Sequence, residues 1–305
     1  MSTLRIEHVY KSFEDVQAVQ DLNLELNQAT IFGLLGPNGA GKTTTIRMIM
    51  NIIIPDQGTI FILDNTNNQE IRDKIGYLPE ERGLYKKMKI RQLLAFLAEM
   101  KGVKPSVSKE RINYWLSRFD MIDWIDKKAE ELSRGMQQKI QFIATILHDP
   151  RLIILDEPFS GLDPINTDLL KSVILELKAQ GKTIIFSTHM MDQVEKLCDS
   201  ICLIDKGRVV LEGDLKAVKK NFRKNNIAIQ IDGAEPDLSS IDHIASFKKQ
   251  QDHFEITPDN QNHVQDILKQ LIDRTSITRF EIIEPSLHDI FIETVTRKTK
   301  EKDHE

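Results

Sequence analysis

The chain has 305 residues, a formal net charge of −5, 40% hydrophobic and 29% charged residues, which suits one large globular domain and a smaller one. The mild negative charge speaks against a general nucleic-acid binder, and no stretch approaches the ~20 apolar residues that a membrane span needs. Its two cysteines, Cys198 and Cys202, fit a reducing cytosol given the lack of a signal-like start. They could lie on one side of a helix as metal ligands, but without Cys or His partners nearby they read as small buried side chains.

In chain order, residues 4–9 (LRIEHV) and 22–26 (LNLEL) alternate apolar and polar positions, as half-buried strands do. Residues 30–35 (TIFGLL) form a continuous apolar run, the pattern of a strand buried on both faces. This run feeds into Gly36-Pro37-Asn38-Gly39-Ala40-Gly41-Lys42-Thr43, a complete G-x4-G-K-[ST] phosphate loop, with helical sequence after it. Glycines let such a loop wind tightly and aim backbone N–H groups at phosphate oxygens, and the helix dipole adds to the attraction. Lys42 is then placed to bridge β- and γ-phosphates, Thr43 to offer a hydroxyl to Mg²⁺, and Thr44 to touch the α-phosphate.

The next section reads as consecutive helices. Ile90, Leu93, Leu94 and Leu97 recur at helical spacing, as do Ile112, Trp115, Leu116 and Phe119, and then Ile140, Ile143, Ala144 and Leu147. The last of these follows LSRGMQQK (132–139), where Ser133 and Gly135 at a helix start suggest N–H groups facing an anion. Buried-strand runs resume at 151–157 (RLIILDE), 182–189 (KTIIFSTH) and 199–207 (DSICLIDKG), the first two separated by a helix with Leu170, Val173, Ile174 and Leu177 on one face. Alternating strands and helices predict a parallel sheet covered by helices, with a helical subdomain inserted at about 85–148. Asp156, at the carboxyl end of a buried strand, is a candidate Mg²⁺ ligand, and Glu157 a candidate general base for an attacking water.

Near residue 215 the texture changes, and the basic run KKNFRKNN (219–226) reads as a boundary. IAIQI and FEI look like short strands, Val264, Ile267, Leu268 and Leu271 mark a helix, and RFEIIEPSLHDIFIETV closes the chain with a strand and a short helix. The expected layout is a first domain over 2–215, an α+β appendage over 222–298 and a charged, frayed tail at 299–305.

Over about residues 2–215 these motifs resemble the nucleotide-binding subunit of an ATP-binding cassette (ABC) transporter. SGLD (160–163) resembles that family's D-loop, His189 its switch histidine, Phe13 the aromatic that stacks on adenine, and LSRGMQ the signature usually written L-S-G-G-Q. The resemblance implies an α/β P-loop NTPase fold of ABC type: a parallel-sheet core, a small antiparallel β subdomain and an inserted helical subdomain, followed here by the small C-terminal α+β domain. It also implies ATP and Mg²⁺ as cofactors and ATPase chemistry at the cytoplasmic face of a membrane. A separate integral-membrane permease and a second cassette, identical or homologous, complete the assembly. The cassettes pair head-to-tail, so that Ser133 and Gly135 of one touch the γ-phosphate held by the other.

Two departures stand out. Glu80 replaces the glutamine of the Q-loop (Tyr77-Leu78-Pro79-Glu80), where a carboxylate still suits Mg²⁺, and Arg134 replaces the first glycine of the signature. The pairing of YLPEERGLY with LSRGMQQK, and the closing EPSLHDIFIETV, are similar to sodium-efflux (Nat-type) ABC exporters. Antimicrobial peptides, drugs or lipids compete as cargo, and a soluble ABC protein acting on ribosomes or DNA is the alternative from another class. The C-terminal domain reads either as a regulator of the ATPase or as an inert cover that aids dimer packing.

Overall fold

Strands β1 (Ser2–Phe13) and β2 (Val16–Asn27) are twelve residues each, at least twice the length that the alternation at 4–9 and 22–26 suggests. They form a hairpin that joins β4 (Gln57–Ile62) and β5 (Asn65–Thr66) in an antiparallel sheet of order β2-β1-β4-β5, and β4 escapes a sequence reading because its first three residues are exposed. The computed structural model describes residues 2–66, 69–81, 83–222, 226–233 and 235–302. The chain divides into two compact units, Met1–Asp214 and Leu215–Glu305.

The first unit is built on a second sheet whose order is β10-β9-β3-β8-β7-β6. Here β3 (Ile31–Leu35), β7 (Leu152–Asp156) and β8 (Thr183–Thr188) are buried at every residue, as their unbroken apolar runs predict. With β6 (Ile75–Leu78) and β9 (Ser200–Asp205) they run parallel, while β10 (Arg208–Asp214) closes the edge antiparallel to β9. Each Ile or Leu buried here contributes about 1.5–3 kcal/mol. Parallel pairing has a direct consequence for function: the carboxyl ends of β3, β7 and β8 emerge at one edge, where α/β sheets bind ligands.

Helix α1 (Lys42–Ile49) follows the glycine loop. Between β6 and β7 the chain makes α2 (Ile90–Met100), α3 (Pro105–Arg118) and α4 (Arg134–Ile146), the helical insertion that the spacing predicts. Their apolar stripes are buried, including Leu93, Leu94, Leu116, Ile140 and Ile143. Helix α5 (Pro164–Ala179) begins at Asp163, whose carboxylate accepts from the Asn166 N–H at 3.0 Å, with Pro164 in the first turn. Helix α6 (Met191–Leu197) ends at Cys198, and Cys202 lies on β9, so the two cysteines do not share a helix face. Both are free and buried, and burial pushes both thiols well up, as expected of inert side chains.

The second unit starts earlier than the basic run suggests, because Leu215–Asn221 forms its first helix, α7. Its sheet has order β12-β13-β11-β14, from β11 (Asn226–Asp232), β12 (Ile244–Lys249), β13 (Phe254–Pro258) and β14 (Ser276–Ile283). Strand β12 is missed by a sequence reading because it is an edge strand with almost no buried residue. Helix α8 (Val264–Ile272) packs Val264, Ile267 and Leu271 against Ile227, Ile229 and Ile256. The final helix is not short: α9 spans Leu287–Lys302 and takes in part of the expected tail, of which 303–305 lie outside the described residues. No helix among the described residues is long and apolar enough to cross a membrane.

Candidate active site

The loop from Gly36 to Gly41 takes backbone conformations that side chains resist. Gly39 and Gly41 sit at φ +79° and +109°, and a Cβ on Gly41 would lie 2.4 Å from the Ala18 carbonyl oxygen. The loop is held from behind by the β9–β10 turn: the Gly207 N–H donates to Ala40 O at 2.9 Å, and the Gln20 N–H to Gly207 O at 2.8 Å. Lys42 is nearly buried and folds over the loop, donating to Gly36 O at 2.7 Å and Pro37 O at 3.1 Å. An ammonium has three N–H donors, so one remains for a ligand.

A cavity of about 860 Å³ opens beside this loop, the size of a cofactor site. It is lined by Asn38 through Thr44 and by Glu80, Asp156, Glu157 and His189. Four segments far apart in sequence thus converge, as the parallel sheet requires. The cavity also takes in Asp15, Val16, Gln17, Ala18 and Gln20 of the β1–β2 hairpin, and Lys206 of the β9–β10 turn. No motif marks these; they reach the site through the path of the backbone, and only the glycine at 207 hints at a close approach. Phe13 is not in the lining: it is 44% exposed at the end of β1, with Lys11 Nζ 5.5 Å from its ring centroid.

At the carboxyl ends of β7 and β8 the acids are arranged unequally. Glu157 has φ +48°, a strained value for a residue with a side chain. Both of its carboxylate oxygens are engaged by the end of β8. Oε1 accepts from the His189 N–H at 3.1 Å and the His189 ring Nδ1 at 2.6 Å, and Oε2 accepts from the Thr188 hydroxyl at 2.9 Å. The carboxylate is therefore oriented before any substrate arrives, and His189, 61% exposed at its ring, points outward from it. Asp156 differs: it is buried, and its Oδ2 has no hydrogen-bond partner.

The electrostatics follow from this crowding. Burial pushes the Asp156 carboxyl above its ordinary range, and the negative charges of Glu80 and Glu157 add to the shift while the neighbouring Ser187 hydroxyl and Lys42 oppose it. Burial also pulls the Lys42 ammonium below the usual lysine range, against the pull of Glu157, Asp156 and Glu80. Three carboxylates around one ammonium repel a polyphosphate unless a cation intervenes. The unpartnered Asp156 Oδ2, the Thr43 hydroxyl and Glu80 on the same cavity are hard oxygen donors that fit Mg²⁺.

Ser133 and Gly135 do not line this cavity; they open α4 elsewhere in the same unit. The Ser133 hydroxyl caps the helix, accepting from the Met136 N–H at 3.3 Å, which leaves its own proton free to donate. Arg134 is exposed. A Cβ on Gly135 would lie 3.4 Å from Gly161 O, so the helix start adjoins the SGLD turn. Buried Gln138 ties the same helix to the other site, donating to the carbonyl of Pro158, next to Glu157, at 3.0 Å.

Comparison with known proteins places the chain among transporter ATPases. The sequence profile of the ABC transporter family matches residues 19–160, and that of the ATP-binding protein DrrA1-3-like C-terminal domain matches 213–295. The ABC transporter ATP-binding protein YhaQ of Bacillus subtilis is 47% identical over 96% of this chain and 98% of its own length. The ABC transporter ATP-binding protein NatA of the same organism is 36% identical over 70% of this chain and 88% of its own. A Nod factor export ATP-binding protein I of Burkholderia lata is 31% identical over 84% of each chain. Among solved structures, an ATP-binding subunit of an ABC transporter superposes with a TM-score of 0.68 at 29% identity, covering 72% of this chain and 93% of that one.

Proposed function

The chain belongs to the family of ABC transporter ATP-binding proteins, and on that premise we propose that it is the ATPase subunit of an exporter, with sodium as its leading cargo. The observation that carries the ATPase chemistry is the fixed Glu157 carboxylate on the cavity that the phosphate loop forms. Support for export comes from the signature, LSRGMQQK with YLPEERGLY, and from the likeness to a protein named for Nod factor export.

In this reading the loop N–H groups and Lys42 bind the phosphates, and Thr44 adds a hydroxyl to the α-phosphate. Thr43, Asp156 and Glu80 hold Mg²⁺, which supplies the positive charge that three carboxylates and a polyphosphate demand. Glu157 takes the proton from the attacking water. His189, already on Glu157 Oε1, reads the γ-phosphate with its exposed ring. Phe13 reaches adenine from the exposed end of β1. Ser133 donates its free proton, and Gly135 its N–H, to the γ-phosphate of a second cassette, so the site is complete only in a head-to-tail dimer. The dimer works at the inner face of the membrane through a separate permease, converting ATP-driven closure into movement of that partner.

Two outcomes follow. Arg134→Gly is expected to leave the KM for ATP unchanged, because Arg134 is exposed at the helix start while Ser133 and Gly135 supply the donors; a clear rise in KM would place the guanidinium on the nucleotide instead. Vesicles holding this subunit with its membrane partner are expected to move radiolabelled sodium on addition of ATP. An active ATPase without flux would remove sodium and leave another small cation or an organic cargo.

A further inference from the structure

The second unit carries a cluster that the ATPase reading does not use. The β12–β13 register pairs Ile244 with Pro258, which sets His243 opposite Asp259 just beyond the paired ends. The Asp259 N–H donates to His243 O at 2.9 Å, extending the ladder by one step. Four residues later, in the turn that opens α8, comes His263, whose N–H donates to Asn260 O at 3.1 Å. Sheet register and a short turn therefore bring three residues together that lie 16 and 4 positions apart.

Their side chains converge on one carboxylate. The Nδ1 of His263 lies 2.7 Å from Asp259 Oδ1, and the Nδ1 of His243 lies 3.3 Å from Asp259 Oδ2. The two imidazoles face one another with centroids 3.8 Å apart and planes inclined by 35°. The ring nitrogens and a carboxylate oxygen all lie within 4.8 Å of one another. His243 takes φ +72° to reach this position. Donations from His263 and His243 hold the Asp259 carboxyl below the usual carboxylate range.

We propose that His243, Asp259 and His263 form a binding site for a borderline divalent transition-metal ion, of which Zn²⁺ is the representative. Two imidazole nitrogens and one carboxylate suit Zn²⁺, Co²⁺, Ni²⁺ or Cu²⁺ rather than Mg²⁺ or Ca²⁺, which favour oxygen donors throughout. Donors about 2.0–2.1 Å from a tetrahedral ion lie about 3.3–3.4 Å apart. The His243 Nδ1–Asp259 Oδ2 contact already has that separation, whereas His263 Nδ1 meets the other oxygen, Oδ1, at 2.7 Å, so a small turn of the carboxylate or of the His263 ring is needed to bring both nitrogens onto one ion. Each Nδ1 that now faces a carboxylate must present a lone pair to the metal, either by moving its proton to Nε2 or by losing it from the imidazolium. All three side chains are a third to a half exposed, which leaves an entry path and room for water as the remaining ligand. A bound ion would fasten the β12–β13 hairpin to the start of α8.

The test uses the full chain with Mg²⁺ and a non-hydrolysable ATP analogue at saturation, so that the carboxylates and His189 of the nucleotide site are occupied. Zn²⁺ is titrated calorimetrically, and Co²⁺ by its visible ligand-field absorption. The wild type is expected to bind one saturable equivalent, with thermal unfolding shifted upward. The double variant His243→Asn/His263→Asn is expected to lose that equivalent and the shift, and Asp259→Asn to weaken it at least about tenfold. Circular dichroism confirms that the variants fold, as expected for exposed positions. Equal stoichiometry and affinity in wild type and double variant would assign the metal to another site and overturn the proposal. No saturable equivalent in the wild type would overturn it as well, leaving a surface ion-pair cluster only.

Discussion

Glu157→Gln is expected to abolish ATP turnover and leave ATP binding intact. Glutamine has the shape of glutamate and keeps an oxygen that can accept from His189, while its amide NH2 takes the place of Oε2 and can donate to the Thr188 hydroxyl oxygen, and it meets the same backbone cost at φ +48°. The fold and the cavity therefore persist. What disappears is the basic oxygen that takes a proton from water, and removal of a positioned general base lowers kcat by roughly 10²–10⁴-fold. Binding rests on the loop N–H groups and Lys42, which the substitution does not touch, so ATP affinity should change little. Phosphate release gives kcat, fluorescent-nucleotide titration gives the affinity, and size-exclusion chromatography with Mg²⁺ and ATP reports whether a dimer accumulates. Turnover within a few-fold of wild type would sink the assignment of Glu157 as the base.

Gly41→Ala should act at the earlier step, on binding itself. The residue is the N-cap of α1 at φ +109°, and the new Cβ would meet a backbone carbonyl, Ala18 O, at 2.4 Å. Neither the hairpin nor the loop can yield alone, because the β9–β10 turn bonds to both. The backbone conformation by itself costs about 1–3 kcal/mol, and the overlap adds to it. The first helical turn, with Lys42, Thr43 and Thr44, must shift to relieve the clash, so ATP affinity should collapse and urea unfolding should occur at lower concentration. Gly39→Ala is the control: it also has positive φ, but nothing lies within 4 Å of its Cβ, so its loss should be smaller. Equal affinity in Gly41→Ala and wild type would show that the loop tolerates what its geometry forbids.

Both substitutions fall on residues that the sequence makes conspicuous, and the reason is physical. Fully buried parallel strands need unbroken apolar runs, so β3, β7, β8 and β9 are legible at 30–35, 151–157, 182–189 and 199–207, and the chemistry at their ends is legible with them. Helices α2 to α5 and α8 follow from apolar residues at 3.6-residue spacing. Strand β4 and the edge strands β10 and β12 bury little and leave no such pattern. The hairpin side of the cavity, from Asp15 to Gln20, and Lys206 are equally silent, since there the backbone position matters more than the side chain. Phe13 is conspicuous in sequence but stands outside the lining. The meeting of His243 with Asp259 depends on strand register, which a single edge strand without alternation does not announce.

The backbone of Glu157 sets two selective pressures against each other. A side chain at φ +48° is disfavoured by about 1–2 kcal/mol, a penalty that glycine escapes and asparagine partly escapes. Selection for thermal robustness alone would drift this position toward those residues and silence the enzyme. Selection for turnover retains the acid and leaves a weak point in the fold beside the nucleotide. Attempts to stabilise this protein by optimising every residue for its local conformation would therefore have to exempt position 157.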